Sequence, residues 1–197
     1  LSFTSPLFSQ VEGLEMKLQL LDDQQTWGVF VRPGKSVSPS EKLATGSGQV
    51  TVVAPVGFFY ENLVCQAGTW VENARVNSPK EAPGMAYVSF GFEEEKKKIL
   101  LQAGSETLLF TFTAPGFEGQ LSLIDNENDP FNQLPNSLWT NPGNDLQIVD
   151  FVAQGGLKTY SYARNYEDVA GIEMEALSMP AAANAPVSYS RFVNNKD

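Results

Sequence analysis

Thr107-Leu-Leu-Phe-Thr-Phe-Thr113, a turn at Ala114-Pro-Gly116, Gln120-Leu-Ser-Leu-Ile-Asp125 and, beyond a long loop, Leu146-Gln-Ile-Val-Asp-Phe151 decide how this chain folds. The first run has the length and the β-branched and aromatic content of a buried strand, the second alternates apolar with polar residues, and the third is strand-like. The loop between them, Asn126 to Asp145, is loaded with side-chain oxygens and punctuated by Pro130, Pro135 and Pro142. Loops of this length are uncommon inside compact domains unless they have a job, so this one is the first place to look for function.

The same grammar extends outward. Leu14, Met16, Leu18 and Leu20 alternate with Glu15, Lys17 and Gln19, the pattern of a strand with one buried and one wet face. Thr26–Arg32, Gln49–Ala54, Met85–Gly91 and Gly155–Tyr162 read as further strands, Phe58–Tyr60 with Leu63–Cys65 as another strand or a bulged pair, and Thr69–Val71 with Ala74–Val76 as a short hairpin. Lys35–Gly48, rich in Ser, Gly and Pro, reads as a mobile connection, and Asn77–Gly84 as a loop. Glu93-Glu-Glu-Lys-Lys-Lys98 is read as a solvated hairpin tip or one helical turn with no ligand role, since surface ion pairs are common and weak. With about ten strands and no amphipathic helix, the expected class is all-β, a β-sandwich of nine or ten strands. The expected organisation is an apolar N-terminal segment 1–10, a sandwich domain 11–168, and a C-terminal linker 169–197.

Composition narrows the function. The net charge of −10 leaves no basic stripe for nucleic acid or for an anionic membrane surface, and no run of apolar residues is long enough for a transmembrane helix. The chain has no histidine, which removes the commonest general base and a common metal ligand, and the expectation is a protein that is not an enzyme. Cys65, the single cysteine, sits in apolar surroundings and is read as a buried thiol. The chain begins at Leu1 rather than Met, which is read as a targeting segment removed. Asn-x-Ser/Thr acceptor sites are absent.

Ala103–Thr113, Leu121–Asn126, Asp129-Pro-Phe-Asn-Gln-Leu-Pro-Asn136 and Asn141-Pro-Gly-Asn-Asp145 together resemble a secreted β-sandwich module of large surface proteins of marine Bacteroidota, itself similar to cohesins and carbohydrate-binding sandwiches. The resemblance spans roughly residues 13–166. It implies an exported, cell-surface module of a structural or adhesive protein, with no catalytic residues to carry across. The loop length and the C-terminal tail depart from the cohesin pattern.

Three sets of candidate site residues follow. Asp125, Glu127, Asp129, Asn144 and Asp145 supply hard oxygens for calcium, which takes six to eight. The first three recur at alternate positions as in an EF-hand, but Pro130 stands where that loop needs Gly and Asn136 where it needs Glu, so an EF-hand is rejected. The competing reading is that these Asx side chains cap turns. Trp139 and Tyr60 are the candidates for stacking against a sugar, whereas Trp27 and Trp70, in strand-like runs, are read as core. Leu1, Phe3, Leu7 and Phe8 at one end, and Val187, Tyr189, Phe192 and Val193 at the other, are candidates for strand exchange between copies. Head-to-tail exchange does not close, so it would build a homopolymeric filament. The leading expectation is thus an extracellular structural or adhesive subunit, joined to copies of itself or to neighbouring modules. The alternative is a monomeric carbohydrate-binding module with a polysaccharide partner.

Overall fold

The computed structural model describes residues 13–35, 37–152 and 156–167. The chain divides after Tyr166 into two units, of which the second, Glu167–Asp197, has only Glu167 among the described residues. The segments 1–10 and 169–197, with all eight candidate assembly residues, lie outside them.

The described residues form an all-β fold of ten strands: β1 Leu14–Leu20, β2 Thr26–Pro33, β3 Leu43–Pro55, β4 Glu61–Cys65, β5 Thr69–Asn77, β6 Met85–Glu94, β7 Thr107–Thr113, β8 Ser122–Leu123, β9 Asp145–Asp150 and β10 Lys158–Asn165. One 3-10 turn, Pro130–Asn132, interrupts them. None of these elements is a helix long and apolar enough to cross a membrane. Hydrogen bonding runs β4-β7-β2-β1-β10-β9-β3-β6-β5, with β8 also on β3. The two ends of that path, β4 and β5, are consecutive in the chain, so the sheet curls back on itself into a sandwich that is nearly a barrel. Cys65 stands at this join. It is half-buried rather than buried, and its Sγ accepts the Trp70 N–H at 3.2 Å.

Aromatic rings bind the two layers together. Phe90 on β6 meets Phe110 and Phe112 on β7 at centroid distances of 5.0 and 6.0 Å, and Trp70 on β5 meets Phe110 at 5.4 Å. Trp70, Phe90, Phe110 and Phe112 are fully buried, as the sequence leads one to expect for Trp70. Trp27 is only partly buried, packed against the same core.

Four sequence readings need correction. Lys35–Gly48 is not all connection, because β3 already begins at Leu43. Its Thr45-Gly-Ser-Gly48 run looks like a linker, yet a Cβ at Gly48 would lie 2.8 Å from the Trp70 ring, so glycine there makes room for the core. The hairpin expected within 69–76 is instead one strand, β5, whose side chains change phase at an irregularity between Glu72 and Ala74. Gln120–Asp125 pairs only over Ser122–Leu123.

The fourth correction concerns β1. Its Glu15 and Lys17 do not face solvent; they are 3% and 6% exposed. Glu15 accepts from Arg32 on β2 and from Arg164 on β10, each at 2.8 Å, and Lys17 pairs with Glu106 at 3.0 Å. The Arg32 guanidinium lies 3.6 Å from the Tyr166 ring centroid, and the Tyr166 hydroxyl donates to Glu106. From Leu14 to Lys17 both faces of β1 are therefore covered, one by the core and the other by this ionic layer, while Gln19 nearer its end is exposed.

Burial by itself would raise the Glu15 pKa, but the hydrogen bonds and charges of Arg32 and Arg164 outweigh it and hold the carboxyl below its ordinary value. Asp150 is likewise lowered: burial opposes, while Ser40, Tyr160 and Lys158 favour the anion. A carboxyl with a depressed folded pKa adds stability above its unfolded pKa and loses it as pH falls through the folded value. The melting temperature is accordingly expected to be flat above about pH 5 and to fall below about pH 4. Thermal melts across this range check it; a maximum on the acid side of pH 4 would contradict the assignment.

Candidate functional site

The long loop is fastened at its base by a small satellite core. Ile124 and Phe131 are fully buried against Val53 and Tyr87, and the Tyr87 and Phe131 rings sit 4.8 Å apart. Asp129 caps the 3-10 turn by accepting the Phe131 N–H at 2.9 Å, and it also accepts the Tyr87 hydroxyl at 3.0 Å. Burial, with Asp129 beside it, raises the Tyr87 pKa. Asp125 accepts the backbone N–H groups of Glu127 and Asn128 at 2.9 and 3.1 Å, an Asx turn, and these contacts with that of the Asn128 amide hold its pKa down.

Asn144 and Asn126 close the loop on itself. The Asn126 amide donates to the Asn144 carbonyl and its Oδ1 accepts the Asn144 N–H, both at 2.8 Å. The buried Asn144 side chain then reaches into the sheet, accepting the Thr51 N–H at 2.9 Å and donating to the Ile124 carbonyl at 3.0 Å. Asp145 takes a bond from the Ser47 hydroxyl. Four of the five candidate calcium ligands therefore point at different donors, Asp125 and Asp129 at turns, Asn144 at β3 and Asp145 at Ser47, and the fifth, Glu127, is exposed. Among the described residues no three of His, Cys, Asp and Glu come together in a group that could hold a metal ion. Calcium and chelator are each expected to leave the melting temperature unmoved. A rise on adding calcium that Asp125→Asn abolishes would reverse this reading.

The far end of the loop is built differently. Asn136 is 3% exposed and acts as a hub: its amide donates to the carbonyls of Phe131 and Thr140 at 2.8 and 2.7 Å, and its Oδ1 accepts the N–H groups of Leu138 and Thr140. Trp139 is thereby held at φ 54°, a left-handed conformation rare for a bulky residue, with its side chain turned to solvent at 83% exposure. Leu134 and Leu138 are exposed beside it in the chain.

Ser137 anchors this tip to the neighbouring loop, its N–H and hydroxyl both bonded to Glu81 at 2.6 and 2.8 Å. Those bonds lower the Glu81 pKa. Lys80, Glu81, Pro135, Asn136, Ser137 and Trp139 line an open groove of about 430 Å³. Comparisons with protein-family models, with curated proteins and with solved structures find no match. The case for this site rests on its own geometry.

Tyr60, the other stacking candidate, has a different set of neighbours. Its ring packs on Phe90 and Phe112 at 5.2 and 5.7 Å, partly buried against the core. Burial, reinforced by Glu72, pushes its pKa up to about 12. The sequence reading placed Trp139 in a loop, and the structure has it in one, 83% exposed. It missed Asn136, Lys80 and Glu81. Asn136 stands five residues after Phe131, a spacing that carries no motif, and Lys80 and Glu81 come from a separate loop that only the fold brings alongside.

Proposed function

We propose that this chain is a non-catalytic adhesive module of the extracellular surface that engages a neutral polysaccharide through the loop carrying Trp139. The observation that supports the reading is an indole held almost wholly in solvent, in a strained backbone conformation, by a buried asparagine. Strain of this kind persists only where the surroundings over-determine it, and it clusters at functional positions. A rigid aromatic plate offers large contact area with little ordering cost on binding, and the C–H face of a sugar ring stacks on such a plate. Ser137, Lys80 and Glu81 line the adjoining groove and supply polar groups for the ring's hydroxyls, while Asn136 is fully engaged in holding the loop. The net charge of −10 disfavours an anionic polymer, which is why the partner is taken to be neutral. The strand-exchange filament rests on the terminal sequences alone, outside the described residues.

Affinity electrophoresis through gels cast with neutral plant or algal polysaccharides tests the proposal. The protein is expected to be retarded, and Trp139→Ala to weaken binding by at least about tenfold, as for other central aromatic anchors. Because Trp139 is exposed, the same substitution should shift stability by no more than about 0.5 kcal/mol. Retardation unchanged by Trp139→Ala would discard this loop as the binding surface, and no retardation by any neutral polymer would discard the ligand class.

A further inference from the structure

The first and last described strands lie side by side. β1 and β10 pair in parallel, with Leu14 opposite Tyr162, Glu15 opposite Arg164 and Met16 opposite Asn165, and the Tyr166 N–H extends the seam to the Met16 carbonyl at 2.9 Å. The chain enters this seam at Gly13 and leaves it beyond Tyr166, at the opposite end. Tension along the chain therefore pulls β1 towards its start and β10 towards its finish. That direction shears every bond of the seam at once instead of peeling them in turn.

The seam is reinforced where it is loaded. Gly13 carries no Cβ, which at φ +137° would sit 2.7 Å from the Ser161 carbonyl oxygen, so the two backbones approach closely at the entry. Glu15 is bound by Arg164 across the seam and by Arg32 from the other side, so the ionic layer straddles β10, β1 and β2. Behind the seam, β1 is paired to β2 over seven positions and β10 to β9 over four, against three across the seam itself. Both partners are thus backed by longer ladders, and the seam is the element that yields first.

We propose that the β1–β10 seam is a mechanical clamp, and that this module bears tension transmitted along its own chain. The inference is independent of what Trp139 binds. Single-molecule force spectroscopy on the full chain tests it, since forced unfolding reports the barrier under the applied load. One preparation is held by handles at its two ends. The other is held at the C-terminal end and at an azide-bearing residue replacing Asp22 in the exposed β1–β2 turn, which peels the seam from its far end.

The end-to-end unfolding force is expected to be roughly two- to threefold higher than the peeling force, because the three residue pairs share the load instead of breaking singly. Arg164→Gln, a change at a largely exposed side chain, should lower the end-to-end force and leave the peeling force unchanged. Equal forces in the two directions would overturn the clamp. An end-to-end force untouched by Arg164→Gln would overturn the part assigned to the Glu15–Arg164 pair.

Discussion

Phe90→Ala is expected to cost about 3–5 kcal/mol, the range for truncating a fully buried aromatic ring, and to lower the melting temperature by on the order of 10 °C. Phe90 has no exposed surface and stands where the layers meet. Its ring is 5.0 Å from Phe110, 6.0 Å from Phe112 and 5.2 Å from Tyr60. Removing it deletes the apolar area of the ring and leaves a cavity walled by three other aromatics, two of them fixed on strand β7, which cannot all close in. Phe90→Leu refills much of that space and should cost far less. Val64→Ala, at a side chain half exposed on the edge strand β4, is the control and should be nearly silent. Urea titration with an unchanged m-value measures all three. A loss under about 1 kcal/mol for Phe90→Ala would mean that the layers do not pack through this ring.

Asn144→Ala is expected to cost about 2–3 kcal/mol, because the Thr51 N–H in the middle of β3 loses its acceptor in a place water cannot reach. The Ile124 carbonyl keeps a bond from the Asn165 amide at 2.8 Å, so the loss falls mainly on Thr51 and on the space left behind. Asn144→Asp separates this role from metal binding. A carboxylate could still accept from Thr51, but it would face the Ile124 carbonyl and the Asn165 Oδ1, which now receive the Asn144 amide. Asn144→Asp should therefore destabilise at neutral pH, and added calcium should not restore it. Were Asn144 a calcium ligand, the added charge would strengthen the site and the melting temperature would rise with calcium.

Where runs are short, apolar and rich in β-branched and aromatic residues, the sequence was legible. Thr107–Thr113 is a strand with the bounds read for it, Met85–Gly91 lies within β6, and Trp70 is core, because such residues fit a pleated, buried surface. The alternation in β1 was read correctly as a strand and incorrectly as a strand with a wet face. Glu15 and Lys17 are charged, and charge normally means solvent. Here Arg32 from the neighbouring β2, Arg164 from the distant β10 and Glu106 from the segment before β7 neutralise them in place. Gly48 failed for a related reason: glycine reads as a breaker until the Trp70 ring is seen to need the room.

The candidate site divides the same way. Trp139 in a proline-punctuated loop was readable as an exposed aromatic, since turn residues surround it and nothing nearby in the chain could bury it. The roles of the loop's oxygens were not, because a carboxylate or an asparagine looks the same in a sequence whether it faces an ion, a backbone N–H or water. The chain's own order of residues dictates most of its strands, which depend on neighbours a few positions apart, and its composition dictates its acidity. Which strands lie side by side, which charges are buried, and which side chain stands at the end of the long loop are decided by contacts between residues far apart in the chain. Those contacts form only once the layers have closed around the aromatic core.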